Sequence, residues 1–359
     1  METRIRERLN DLAEDAPAGR TVPPVVLRRA RRRVGLTIVV GAVALAAAAF
    51  GVTEGLRLAA RRVDRPAGQP GTTAFDRVYG WIAVGGRHIA AIDPTDPSRR
   101  LLLTNQPDVL DSPLDWSGDG TKLLFARRSS SGPGFEGTNL YVLHADGTEV
   151  RLTSDGGVIG GSFSPDGSQV VFARITGVRE TEAVDSLYVV PTGGGTPREL
   201  ETGGEEPAFS YPAWSPDGER VFYFGVFFGR PQDDRPGLAV MNADGTGDGH
   251  AVGGLLLDVV EGGTAGLTWS PDGARLAFAG TSETGRSAIY MVRPDGTGLT
   301  ALVCADDVSY AWPTWSPDGS RIAFVAGERL FSMSADGTGV QELGAVPNAE
   351  GRIAWNPVA

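Results

Sequence analysis

Carboxylates and aromatic rings gather at recurring places along this chain. Asp108 and Asp111, Glu205 and Glu206, Asp258 and Glu261, and Asp306 and Asp307 stand in pairs, with Asp155 and Glu350 as single acids between or after them. A second set comprises Glu180, Glu182 and Asp185, then Asp233 and Asp234 with Phe227 and Phe228 nearby. Tyr211, Tyr310 and Trp312 supply further rings. Carboxylates collected around one opening would focus a negative field there. They would draw in a basic peptide, a cationic ligand or Ca²⁺. No Asp-x-Asp-x-Asp-Gly calcium loop occurs. Diffuse attraction is therefore favoured over a dedicated metal site, and an acidic face that simply keeps the protein soluble is the plain alternative.

Other chemistries find little material. Acyl transfer on an α/β-hydrolase scaffold would need Gly-x-Ser-x-Gly, and that pentapeptide is absent. His88, His144 and His250 are the only histidines and lie far apart in sequence. Cys304 is the single cysteine, which excludes an intramolecular disulfide and a cysteine-based metal cluster. Neither a phosphate-binding loop nor a dinucleotide fingerprint stands between a strand and a helix. The expectation is a protein that is not an enzyme and carries no cofactor.

These residues need elements to hold them, and a repeat supplies the elements. An aromatic residue, Ser, usually Pro, then Asp-Gly recurs as Trp116-Ser117-Gly118-Asp119-Gly120, Phe163-Ser164-Pro165-Asp166-Gly167, Trp214-Ser215-Pro216-Asp217-Gly218, Trp269-Ser270-Pro271-Asp272-Gly273 and Trp315-Ser316-Pro317-Asp318-Gly319. A truncated copy, Trp355-Asn356-Pro357, follows. Subtracting positions of successive aromatics gives spacings of 47, 51, 55, 46 and 40 residues. Repeats of roughly 40 to 50 residues denote a solenoid, propeller or array. Within one copy, Leu267-Thr268-Trp269 reads as a strand, Ser-Pro-Asp-Gly as a type I turn, and Arg275 to Ala279 as the returning strand. Ala288 to Val292 and Leu299 to Leu302 complete four strands, joined by the turn Pro294-Asp295-Gly296-Thr297-Gly298.

Four antiparallel strands repeated radially make a β-propeller. Only three strands precede the first full copy, Tyr79 to Val84, His88 to Asp93 and Arg100 to Thr104, and one strand, Arg352 to Trp355, follows the last. Three plus one makes a sixth blade, so the final strand should close the ring and seal its free edges. The motif aromatics would wedge between blades and the Asp-Gly pairs would turn the chain. The acids named above then fall on the loops of one face, those joining the fourth strand to the next blade and the second strand to the third.

The Trp-Ser-Pro-Asp-Gly copies, each followed by a Leu-Ala-Phe type strand, resemble the TolB-like propeller repeats within the wider WD-like group. The resemblance spans about residues 78 to 358 and implies the fold strongly. It implies function weakly, since such propellers serve as envelope interaction modules and as gating domains of prolyl-oligopeptidase-like peptidases. Gly118 in place of Pro and Phe163 in place of Trp depart from the pattern.

Before the repeats, Val34 to Thr53 is an uncharged stretch of 20 residues, long enough as a helix to cross a bilayer. Arg28, Arg29, Arg31, Arg32 and Arg33 precede it, which favours a cytoplasmic N-terminus, although Arg57, Arg61, Arg62 and Arg65 follow it. A cleaved secretory signal is the rival reading. The expected organisation is a cytoplasmic Arg-rich tail over 1–33, a transmembrane helix over 34–53, a linker over 54–76 and the propeller over 77–359. In fold class the chain is all-β, a six-bladed propeller with C-terminal strand closure, preceded by a single transmembrane α-helix.

Charge divides the chain in the same way. Residues 1 to 65 hold 13 Arg and 7 acids, net +6, and subtraction from the totals of 33 basic and 44 acidic residues leaves 20 and 37, net −17. Nucleic acid is a poor partner for so acidic a region. The expected partner is a protein or peptide met outside the cytoplasmic membrane, with basic character favoured by the acidic loops. A ligand sensor or enzyme at the channel mouth, and a transmembrane regulator signalling through the tail, are the alternatives.

Overall fold

A computed structural model describes residues 75–131, 137–179, 182–200, 209–226, 236–246, 250–256, 265–281, 286–306, 308–346 and 351–358. The described strands form six four-stranded antiparallel sheets. Blade 2 runs from Val109–Trp116 through Lys122–Ser129 and Asn139–His144 to Glu149–Arg151, and blades 3 to 6 repeat that order. Blade 1 takes its inner strand, Ile353–Trp355, from the other end of the sequence and pairs it with Ile82–Val84, followed by Ala90–Ile92 and Arg100–Leu102. The expected closure is thus observed, and the all-β six-bladed architecture with it.

The first-blade strands are shorter than their sequence suggested. Val78 and Trp81 are engaged in turns, donating to the carbonyls of Phe75 and Val78, so no strand forms before Ile82. At the second strand's far end, the Asp93 carboxylate accepts from the Thr95 amide and hydroxyl and turns the chain.

Each repeat's turn is locked by its own side chains. Ser270 Oγ donates to Asp272 Oδ1 at 2.5 Å and accepts from the Arg275 amide at 3.0 Å, while the Ala274 amide donates to the same carboxylate oxygen at 3.0 Å. The Gly273 amide closes the turn onto the Ser270 carbonyl, with φ +67 at the glycine. A left-handed residue here favours glycine because a Cβ would collide with the backbone. At the ring's seam the turn is rebuilt without a covalent link. Asn356 N–H donates to the Trp81 carbonyl at 2.9 Å, where the intact copies use Ser and the residue five positions on.

The motif aromatics do wedge between blades. Trp116 packs against Phe75 edge-on at 4.9 Å and reaches Ala354 of the closing strand, to whose carbonyl its Nε1 donates at 3.2 Å. Trp315 lies in one cluster with Ala277 and Ile289 of blade 5 and Phe324 of its own blade. Aliphatic and aromatic side chains from neighbouring blades thus share six apolar clusters, each a seam between two sheets rather than a core within one.

Candidate functional site at the channel

The six inner strands surround a channel enclosing about 200 Å³. They are Val109–Trp116, Val158–Phe163, Phe209–Trp214, Ala265–Trp269, Tyr310–Trp315 and Ile353–Trp355. Five of them carry a β-bulge shortly before the motif aromatic. In blade 6, Ala311 pairs with Val325 and Thr314 with Ala323, so Trp312 and Pro313 together oppose Phe324 alone. Bulges bend a strand and re-aim its side chains, and they concentrate near functional sites.

The re-aimed position lies three residues before each motif aromatic. Around the ring it holds Pro113, Gly160, Tyr211, Gly266, Trp312 and Arg352. Tyr211 and Trp312 sit at φ 50 and φ 55, a region costly for bulky residues, while Gly266 occupies its equivalent at φ 69 without penalty. Their rings meet edge-on at 5.4 Å, and the Arg352 guanidinium lies over Trp312 at 4.4 Å and over Tyr211 at 5.6 Å. The glycines make this convergence possible. A Cβ on Gly160 would stand 3.2 Å from Tyr211 Cδ1, and one on Gly266 would stand 3.2 Å from Trp312 Cα. Small residues alternating with large ones therefore let three side chains from blades 4, 6 and 1 converge across the mouth on the side of the fourth-to-first loops.

One position before the aromatic lies a second, polar level. Asp115 Oδ2 accepts the Phe163 amide at 2.8 Å, Ser162 Oγ accepts the Trp214 amide at 2.8 Å and Thr314 Oγ1 accepts the Trp355 amide at 3.1 Å. Each bond ties one blade to the next. Asp115 also accepts the Trp116 amide at 2.9 Å. It is half-buried at the channel, and that burial pushes its carboxyl up to about 7 against the pull of the two amides.

The acidic loop residues have divergent fates. Asp111 is wholly buried, a correction to its expected place on an exposed face. Its carboxylate receives Arg127 Nε at 2.6 Å and Nη2 at 2.9 Å, and Arg127 also donates to Glu149 at 2.6 Å. The backbone of Asp111 exchanges two hydrogen bonds with Gly86, tethering blade 2 to blade 1. Tyr310 is likewise a core residue, 3% exposed, with its ring 5.8 Å from that of Phe324 and its amide donating to Ser287 Oγ. The bulge explains this: it inserts one residue between Tyr310 and Thr314, so two positions that simple alternation puts on one face, 310 and 312, part company. Asp108 is exposed at φ 58. Asp155 and Asp306 are exposed too, yet each is paired, with Arg174 at 3.1 Å and Arg286 at 2.7 Å. Glu205, Glu206, Phe227, Phe228, Asp258, Glu261 and Asp307 lie outside the described residues, as does Val34–Thr53.

Sequence reasoning missed Arg352, Asp115 and Arg127. The first two could have been found by aligning the copies on their aromatic residue, which places Arg352 with Tyr211 and Trp312, and Asp115 with Ser162, Thr268 and Thr314. The same alignment places Arg127 with Arg174, eleven residues after the aromatic in two of the copies. Among the described residues no group of three or more His, Cys, Asp or Glu is disposed to hold a metal ion, and no helix is long and apolar enough to cross a membrane.

No protein-family model matches the chain. An uncharacterized protein of Agrobacterium fabrum is 26% identical over 208 residues, covering 54% of this chain, which spans 58% of that relative's length. TolB from Acinetobacter baumannii superposes with a TM-score of 0.56 at 22% identity, over 77% of this chain and 66% of that one. A putative TolB from Agrobacterium tumefaciens gives 0.52 at 23% identity, over 78% and 99% of the two chains. A propeller solved in a nidogen/laminin complex gives 0.57 at 12% identity, over 78% and 99%. These likenesses, added to the blade count and the closure at Trp355, show that the chain has the fold of the TolB-like six-bladed β-propellers.

Proposed function

We propose that this chain is a non-enzymatic binding propeller, held by Val34–Thr53 with its N-terminus in the cytoplasm and its blades outside the cytoplasmic membrane. It takes a protein or peptide on the channel mouth and the loops around it. The observation that carries the reading is the convergence of Tyr211, Trp312 and Arg352. Two bulky residues hold a left-handed backbone conformation to bring their rings together under a guanidinium. Strain of this kind, about 1–3 kcal/mol per residue, persists where its surroundings enforce it, and it clusters at functional sites. Aromatic and Arg side chains are also the commonest hot-spot residues of protein interfaces. The arginine pairing of Asp155 and Asp306 argues that recognition uses shape and rings as well as negative charge. The occurrence of this fold in a nidogen/laminin complex supports a protein partner in kind, not in identity.

Crosslinking and pull-down with the full chain tests the proposal. Tyr211→Gly and Trp312→Gly keep the backbone conformation and remove the rings, and each should weaken capture of the partner about tenfold or more. Neutralising Glu205, Glu206, Asp306 and Asp307 tests the charge contribution separately. Capture unchanged in all these variants would refute binding at the mouth. Protease added to intact spheroplasts should cut the propeller loops, and full protection would overturn the membrane orientation.

A further inference from the structure

Two residues further along the inner strands from the mouth cluster, the polar level around Asp115 has no role in the proposed partner binding. Aligning the copies puts Asp115, Ser162, Thr268 and Thr314 at one height around the channel, with Ala213 and Ala354 completing the ring. Asp115 makes its two printed hydrogen bonds with backbone amides, and an amide carries no compensating charge. The other charged or titratable side chains lining the channel, among the described residues, are Arg352 and Tyr211, and both are gathered into the mouth cluster. Burial therefore acts on this carboxylate without a neighbouring cation to offset it, which is why its proton is held to about pH 7. Ser162 and Thr314 spend an oxygen lone pair on the next blade's amide, so their hydroxyl protons and remaining lone pairs stay available to a guest.

The walls beside this level are aromatic. The half-buried Trp214 and Trp269 border the cavity, while Trp355 and Phe163 are packed into the seams between blades. A single carboxylate, hydroxyl groups and indole surfaces are a poor donor set for a hard divalent cation, which requires six or more oxygens in the case of Ca²⁺. The same set suits an organic ammonium, which gains from one counter-ion and from ring faces at once. The enclosed 200 Å³ admits a small ligand and excludes a folded domain.

We propose that the polar level of the channel is a binding site for a small organic ammonium compound, with Asp115 as its counter-ion and the indoles of Trp214 and Trp269 beside it. The site shares its cavity with Tyr211, Trp312 and Arg352, and its ligand binding can be measured with no protein partner present.

The test is calorimetric titration of the full chain at pH 8 with choline and with 3,3-dimethylbutanol, its uncharged counterpart of the same shape. Choline should bind saturably and at least about tenfold more tightly than the alcohol. Its affinity should fall as pH drops below about 7, where a proton competes for Asp115. Asp115→Asn should reduce choline affinity about tenfold or more, with the indole fluorescence of the folded protein retained. Should that variant fail to fold, the pH dependence and the uncharged counterpart still decide on the unaltered protein. Absence of saturable binding, equal affinity for the alcohol, or undiminished binding by a folded Asp115→Asn protein would each overturn the proposal.

Discussion

The two faces of this propeller use carboxylates in opposite ways. On the face of the repeated turns, Asp119, Asp166, Asp217, Asp272 and Asp318 each accept from the Ser of their own motif and from a backbone amide two positions on. On the other face, Asp111, Asp155 and Asp306 are each met by an arginine from a different stretch of chain, Arg127, Arg174 and Arg286. A carboxylate satisfied by its own turn can be copied from blade to blade unchanged. One satisfied by an arginine on the neighbouring strand depends on a partner that only some copies carry, Arg127 and Arg174 at one repeat position and Arg286 at another, so this face varies around the ring. Variation is what a recognition surface needs, and uniformity is what a scaffold needs.

Removing Arg127 should give the largest effect. Asp111 would be left as a buried, unpaired charge, and Arg127→Ala should lower stability by about 3–5 kcal/mol in urea unfolding. A loss near zero would mean that the buried pair contributes nothing to the stability of blade 2. Trp355→Ala should approach the same size, about 3–5 kcal/mol, through lost burial at the seam. Its distinguishing sign would be faster proteolysis at the Ile82–Val84 edge. Breaking one copied turn should matter less. Ser270→Ala removes an acceptor for the Arg275 amide and a donor to Asp272, and should cost about 1 kcal/mol in thermal unfolding. The smallest effect belongs to Arg286→Ala. Its partner Asp306 is 72% exposed, and exposed pairs contribute about 0–1 kcal/mol. If Arg286→Ala proved as damaging as Arg127→Ala, the distinction between a buried, structural acid and a surface one would fail.

Acidity separates the same groups. Hydrogen bonds from the Ser hydroxyl and from the residue two positions on hold Asp166 and Asp318 down to about 2, below the unfolded value near 4. Their contribution is complete above about pH 4 and should be lost as pH falls towards about 2. Asp115 has the reverse sign. The folded protein keeps a proton there that the unfolded chain releases, so stability should decline as pH rises from about 4 to about 7. Asp115→Asn should flatten that decline in a pH series of urea midpoints, leaving the acid limb in place. A decline that persists in Asp115→Asn would assign the effect to another group.

Much of the fold was legible because the motif repeats a local physical solution. Trp269 to Gly273 contains the wedge, the hydroxyl, the carboxylate and the left-handed glycine needed for one turn, and counting such turns counts blades. Closure was legible for the same reason, since Trp355 repeats the wedge with no turn of its own. The site was less legible, because bulges break the period of two by which a strand assigns its faces. Tyr310 and Trp312 look equivalent in sequence, and one inserted residue sends the first into the core and the second into the channel. Asp111 and Asp306 likewise look alike as loop acids. Each faces an arginine on the neighbouring strand, and what separates them is that Arg127 meets Asp111 under cover while Arg286 meets Asp306 at the surface, a difference of burial that spacing alone does not encode.

The inner strand of blade 1 is also the last in chain order of the 24 strands among the described residues. Trp355 Nε1 reaches the Gly80 carbonyl across 275 positions of sequence. A ribosome that has made five blades has not yet made the piece that joins the first to the last, so Ile82–Val84, paired with Ala90–Ile92 on one side, waits with its other edge open until Ile353–Trp355 emerges. The ring cannot mature blade by blade to a finished state. Its assembly should end in one late step of high contact order, slow compared with the formation of any single blade. Whatever keeps the nascent chain from pairing with other strands in that interval is as much a requirement of this architecture as the Trp and Gly that shape its turns.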